Sequence, residues 1–473
     1  MTLVWKADEN LSLKRNSEAI NQSSSGEEEE TFEKDSLEMR NILISFTNFP
    51  YQNLNELYRI SGDLIESNSS LLKFLHQINF FETFAYFLNE INNPPDKITS
   101  LKILLNLSRL PTSECLPLIQ GEDLALVFLK NNIFSEINDV RYLSLKCLKN
   151  FAQDSPECRK LILFNNLLND FYSLLIGRSD DLKLVKLIGK TILFLLLEKL
   201  VDEDIKIVKR ISFDLIGMAQ QYAFVEDFPC KYLCSLSEKE KDPDNDFIEN
   251  AQVLVQFLVQ VKNSKSLPNL MKFFFVRSGF DCEAYAFFSN GIFSALYNNF
   301  IINKDNNIDR YNSKENKIEW SAWLIDAILK KVNESIFQFL EIGFLEAFID
   351  FSLNGNYQFK SASALVFSTA LNSILANKIK IADNLMIALN EVASRYIQDI
   401  DSYDEKTIIS SFSLILSLIS LQKDPKPLLS LLFEETTYNI ISTFAEQSEN
   451  STLREKAKEV LHTINQYNTN LAH

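Results

Sequence analysis

The segment Ile78–Phe87 reads INFFETFAYF, and at Ile342–Phe351 the chain reads IGFLEAFIDF, with apolar, acidic and aromatic positions in the same order. Upstream, NSSLLKFL at Asn68–Leu75 aligns without gaps to NESIFQFL at Asn333–Leu340, and the two blocks join after one deletion. The second block lies 264 residues from its match, six times 44. Further copies are NLLNDFYSLL at Asn166–Leu175, 87 residues after Asn79, and NGIFSALYNN at Asn290–Asn299. A fixed period of about 20 to 50 residues marks a solenoid, whose units bury their faces only against their neighbours. Gly291 and Gly343 occupy the same place in the repeat, the corner entering its second helix, where a missing Cβ lets the chain turn sharply.

From Leu37 onward, apolar residues recur at spacings of three and four, the pattern of successive amphipathic helices. Residues 1–36 are polar and include Ser23-Ser24-Ser25-Gly26 followed by Glu27–Glu30, which predicts a disordered acidic, serine-rich tail. The solenoid is expected over 37–467, with polar loops near 235–246, 303–317 and 422–427 and a flexible end at 468–473. Its last helix, Leu453–Gln466, is charged on one face and apolar on the other, as a terminal cap should be.

A second motif precedes the first. LNLS at Leu105–Ser108 and KNFA at Lys149–Ala152 are 44 residues apart, each closing an apolar helix. Taken with its continuation, LKCLKNFAQDSPECRKLILFNNLLNDFYSLL at Leu145–Leu175 resembles the armadillo repeat: third helix, turn, first helix, second helix. The resemblance spans about residues 54–200 and 320–375. It implies an all-α fold, a right-handed α-α superhelix of roughly nine or ten units, with Asn106 and Asn150 ending third helices on the concave side. The importin branch of that superfamily carries a Trp four residues before this Asn to hold basic peptides; here the positions are Lys102 and Lys146, which weighs against a nuclear-import adaptor.

Composition agrees with a helical array: 46% of the 473 residues are hydrophobic, with 37 Phe but only 10 Gly and 11 Pro. The net charge of −16 argues against general affinity for nucleic acid or anionic lipid, which require clustered positive charge. The longest uncharged run, Thr407–Gln422, is shorter than the ~20 apolar residues a spanning helix needs, so no membrane insertion is expected. The opening MTLVWKADEN shows no secretory signal pattern. The six cysteines, Cys115, Cys147, Cys158, Cys230, Cys234 and Cys282, lie in apolar stretches without paired spacing, as buried thiols in a reducing compartment would. A cytoplasmic location is expected, with nuclear entry left open.

No convergent catalytic set is visible. The only histidines are His76, His462 and His473, and structural or exposed roles are expected for each. Cys230 and Cys234, four apart, lack the further Cys or His ligands zinc needs, and no glycine-rich phosphate loop occurs, so no metal or cofactor is expected. Trp320 and Trp323 stand at helical spacing and read either as core or as an exposed partner anchor. Lys102, Lys146 and Lys190 recur at intervals of 44, each just after a position that should face the core. With Asn106, Arg109 and Asn150 nearby, they define a candidate groove for a protein partner, an extended acidic segment. In the tail, Ser17 follows Lys14-Arg15-Asn16 as in basophilic kinase sites, while Ser24 and Ser25 precede Glu27 and Glu28 as in acidophilic ones. The expected function is a non-catalytic scaffold or adaptor. The alternatives are a nucleotide-exchange or chaperone regulator, and, from another class, an enzyme built on carboxylates such as Glu226, Asp227 and Asp281.

Overall fold

Asn79, Asn166, Gly291 and Gly343 adopt left-handed backbone, with φ of 51, 58, 84 and 92°. All four stand at the same place in the aligned repeat copies and start its second helix. Glycine and asparagine are the residues that tolerate this conformation, so the corner of the repeat is written into the sequence by residue type. Proline at the first turn (Pro50, Pro94, Pro156) and acceptor side chains before it complete the local instructions. Ser155 accepts from the Cys158 amide, Asp181 from Leu184, Asn356 from Phe359 and Asp404 from Thr407.

The computed structural model describes residues 27–66, 69–110, 118–119, 124–261, 265–300, 317–422 and 424–471. They form helices and turns without a strand, in two compact units, Met1–Asn165 and Asn166–His473. The first unit holds α1 (Glu27–Asn48), α2 (Pro50–Ser61), α3 (Ser69–Gln77), α4 (Phe80–Glu90), α5 (Pro94–Leu107), α6 (Leu124–Asn132), α7 (Asn138–Asp154) and α8 (Pro156–Phe164). The third helices α2, α5 and α7 pack side by side as rungs of a ladder. A core of Phe46, Phe80, Phe84 and Phe87 lies beneath them, with ring centroids 5.5–6.0 Å apart.

The second unit continues the pattern. It contains α9 (Leu167–Gly177), α10 (Leu182–Leu195), α11 (Asp202–Ala219), α12 (Asp227–Lys239), α13 (Asn245–Glu249), α14 (Ala251–Gln260), α15 (Leu267–Arg277), α16 (Asp281–Ser289), α17 (Ile292–Phe300), α18 (Lys317–Lys331), α19 (Ser335–Ile342), α20 (Phe344–Asn354), α21 (Tyr357–Ala376), α22 (Asp383–Gln398), α23 (Glu405–Leu421), α24 (Lys426–Leu432), α25 (Glu435–Gln447) and α26 (Ser451–Leu471). Its rungs are α10, α12, α15, α18, α21, α23 and α26, each packed on the next. In α11 and α22 a single helix replaces the first two of the repeat, which explains why the 44-residue pattern fades after residue 200 and after 376. Helix α21, 20 residues with mean hydropathy 1.2, is long and apolar enough to cross a membrane by length and composition. It serves as a rung instead, with Phe359, Val366, Phe367, Leu371 and Ile374 buried against its neighbours.

Several boundaries differ from those expected. Residues 27–36, assigned to the tail, fall within α1; 1–26 lie outside the described residues. The loop near 235–246 shrinks to 240–244, since α12 continues to Lys239 and α13 starts at Asn245. Arg277 and Lys209 hold that loop. The guanidinium donates to the carbonyls of Glu240 (3.2 Å) and Asp242 (2.8 Å) and pairs with the fully buried Glu283 carboxylate, while Lys209 pairs with Asp244 and, at 2.7 Å, Glu240. Of 303–317, Lys317 is helical and the rest lies outside the described residues. The 422–427 loop ends at Pro425, the cap before α24 begins at Lys426, and 468–471 belong to α26 rather than to a flexible end. Cys282 is exposed, whereas Cys147, Cys158, Cys230 and Cys234 are buried as expected; Cys115 is not described.

Candidate functional site: the third-helix ladder

Polar side chains brace the rungs to one another. Asn106 donates through its amide to Ser61 Oγ at 2.9 Å, and Asn150 to Ser108 Oγ at 3.0 Å, so both asparagines tie a third helix to the preceding one. In the second unit Ser361 and Thr407 share a hydrogen bond of 2.7 Å, and Ser417 donates to Asn372 Oδ1 at 2.9 Å. Tyr232 donates to the carbonyl of Gly189 at 2.7 Å. These bonds recur about one repeat apart and fix the rotation of each rung, and with it the stripe that faces outward.

The outward stripe of the second unit changes character along the ladder. Helix α10 exposes Lys183, Lys186 and Lys190, one face of a helix at spacings of three and four. On α12 and α15, Lys231 pairs with Asp227 at 2.8 Å and Lys272 with Glu238. Next comes an aromatic dish. Phe275 of α15 lies 6.0 Å from Trp320 and 5.7 Å from Trp323 of α18, the two indoles are 4.8 Å apart, and all three rings are half-buried. Burial raises the affinity of the adjacent Glu319 carboxyl for its proton. Beyond the dish, α21, α23 and α26 border an open pocket of about 150 Å³ lined by Asn372, Leu375, Ser413, Leu416, Ser417, Ser420 and the Lys456–Glu459 ion pair (2.6 Å).

Charge is segregated onto the rungs. The seven ladder helices of the second unit hold 15 Lys and Arg against 7 Asp and Glu, a net of +8, in a unit whose 31 cations and 40 anions sum to −9. The remaining helices and loops of that unit therefore carry −17.

The residues singled out from the sequence fall as follows. Lys102 is exposed on α5, its ammonium 5.5 Å from the centre of the Tyr58 ring, and Lys146 is half-buried on α7. Arg109 is exposed in the turn after α5. Lys190 belongs to the second unit, exposed beside Lys186. Ser17, Ser24 and Ser25 lie outside the described residues. Trp320 and Trp323 prove neither core nor fully exposed. Among the missed residues, Phe275, Lys186 and Asn372 carry no motif; only the serine-rich character of Thr407–Gln422 hinted at the pocket.

The carboxylates of the enzyme alternative take separate partners. Asp227 binds Lys231 and accepts from Ser266 Oγ at 3.3 Å, Asp281 binds Lys331 at 2.8 Å, and Glu226 is buried. Among the described residues no group of His, Cys, Asp and Glu is arranged to hold a metal ion. Cys230 and Cys234 are buried on α12; burial pushes the first thiol well up and the second to about 11.

Comparison with known proteins finds no matching family model and no matching curated protein. Among solved structures, an engineered protein crystallised by the Northeast Structural Genomics Consortium superposes on 90% of this chain and 98% of its own, with a TM-score of 0.64 at 14% identity. A designed armadillo repeat protein in complex with the peptide (KR)4 covers 54% of this chain and 98% of its own, with a TM-score of 0.40 at 13% identity. No catalytic family is indicated. With its three-helix repeats and stacked third helices, the chain has an armadillo-like repeat fold, an all-α solenoid.

Proposed function

We propose that this protein is a non-catalytic scaffold that binds protein partners in extended form along its third-helix ladder. The observation that carries this is the outward stripe of the second unit, where lysines, an aromatic dish and an amide- and hydroxyl-lined pocket follow one another on successive rungs. Surfaces of monomeric proteins seldom gather half-buried aromatics and unpaired lysines in one track unless something covers them. Asn372 shows how such a track works. Its Oδ1 accepts from Ser417, while the amide of this exposed side chain, which lines the pocket, makes no bond among the described residues and is available to donate to a backbone carbonyl.

A photo-crosslinking amino acid at Ser368, on the half-buried outward stripe of α21, tests this against one at Ile387, exposed on the second-helix surface of α22. In native extract the Ser368 position is expected to capture a partner that the Ile387 position does not. Capture from Ile387 alone would move the binding surface off the ladder.

A further inference from the structure

We infer that the second unit's ladder selects an extended acidic segment that carries one bulky apolar side chain, the acids lying over α10 and the apolar group in the dish of Phe275, Trp320 and Trp323. This rests on the ladder being the binding surface and adds the chemistry of what it binds. Three observations lead to it.

The first is charge. In an acidic molecule the rungs are the basic part, and the excess is least neutralised on α10, whose Lys186 and Lys190 are exposed and form no ion pair among the described residues. Farther along, the outward lysines are matched: Lys231 by Asp227, Lys272 by Glu238, Lys456 by Glu459. The rest of the unit is net acidic, so Lys186 and Lys190 of α10 are where the field draws an acidic ligand.

The second is the dish. Its rings are half-buried, and the two indoles meet edge to face at 76°, so that together they offer apolar ring surface in more than one direction. The rings themselves carry no charge, and of the two carboxylates near them Glu238 is paired with Lys272. Glu319, next to Trp320, is acted on by burial first and then in opposite senses by Lys406 and Asp404, and burial raises the affinity of its carboxyl for a proton. Three half-buried rings in mutual contact offer an apolar surface that takes an apolar side chain.

The third is spacing. Packed helices lie ~10 Å apart, which puts the dish two to three rungs, roughly 20 to 30 Å, from α10. An extended chain rises ~3.3 Å per residue, so about six to nine residues separate the acids from the apolar anchor.

The test uses fluorescein-labelled peptides joining a glutamate block to one leucine through about eight Gly and Ser residues, titrated into the full-length protein by anisotropy at low and physiological salt. Two further probes replace the glutamates by lysine, or the leucine by serine. The acid–leucine probe is expected to bind about tenfold more tightly than either. The double variant Lys186→Glu/Lys190→Glu should weaken it at least fivefold and flatten its salt dependence, because both side chains are solvated and their charges act through attraction. Trp323→Ala should weaken it about tenfold and Trp323→Phe should restore most of the loss, with circular dichroism melting to show that the fold is intact. Equal or tighter binding of the lysine probe, or an acid probe indifferent to the charge reversal, overturns the inference. The Ser368 crosslink separates the two levels: if capture there persists, only the partner's chemistry falls, and if capture fails as well, the ladder falls with it.

Discussion

Gly189 lies in the interior of α10, and an added Cβ would stand 2.9 Å from three ring atoms of Phe228, itself 5% exposed on α12. Carbon atoms in contact prefer 3.5–4.0 Å, so Gly189→Ala must drive the ring back by about 0.6–1 Å or spread two rungs already tied by the Tyr232 hydrogen bond. Overfilling a packed site in this way costs about 1–3 kcal/mol. The same substitution also gains about 0.8–1 kcal/mol of helix propensity, which would mask part of the clash. Gly217 supplies the control. It lies in helix α11 with nothing within 4 Å of its would-be Cβ, so Gly217→Ala records the propensity gain alone. In urea unfolding, Gly217→Ala should therefore shift the midpoint upward, with Gly189→Ala below it by about 1–3 kcal/mol. Combining Gly189→Ala with Phe228→Leu should return part of the loss, since the two residues share the contact. If the two alanine variants shift alike, within about 0.5 kcal/mol, the close approach of α10 and α12 is not what glycine serves, and the placement of the α10 lysines beside the next rung loses its support.

Further outcomes follow from the corners, the buried ion pair and the thiols. Gly343→Ala forces a side chain onto φ of 92° with Tyr297 Oη 3.2 Å from the new Cβ and should lower stability by about 1–2 kcal/mol, whereas Asn79→Gly, at φ of 51°, should be close to neutral; calorimetry of both compares them. Arg277→Met strands the buried Glu283 carboxylate and the carbonyls of Glu240 and Asp242 and should cost about 3–5 kcal/mol, while Arg277→Met with Glu283→Leu should recover much of it, as urea midpoints would show. In the folded protein at neutral pH, iodoacetamide should modify exposed Cys282 rapidly. Cys147, Cys158, Cys230 and Cys234 should stay protected until unfolding, because burial holds their thiols protonated; peptide mass mapping reads the order.

The sequence alone carried the helical class, the period and the corners, because each is a local property. Alternation at three and four marks a buried helix stripe wherever it occurs, and only residues at ease with positive φ fill Asn79, Asn166, Gly291 and Gly343. Local signals also misplaced a boundary: the polar residues at 235–239 suggest a loop, yet a helix can carry polar residues on the side away from its core. The site belongs to tertiary structure. Phe275 and Trp323 are 48 residues apart and meet only because α15 and α18 are neighbouring rungs at a particular rotation. That rotation is set by buried contacts such as Gly189 against Phe228 and by cross-braces such as Ser417 to Asn372, none of which has a signature in a single strand of text. A net charge of −16 concealed the cation excess of the ladder helices for the same reason: charge adds along a sequence without regard to place, whereas packing stacks those helices side by side.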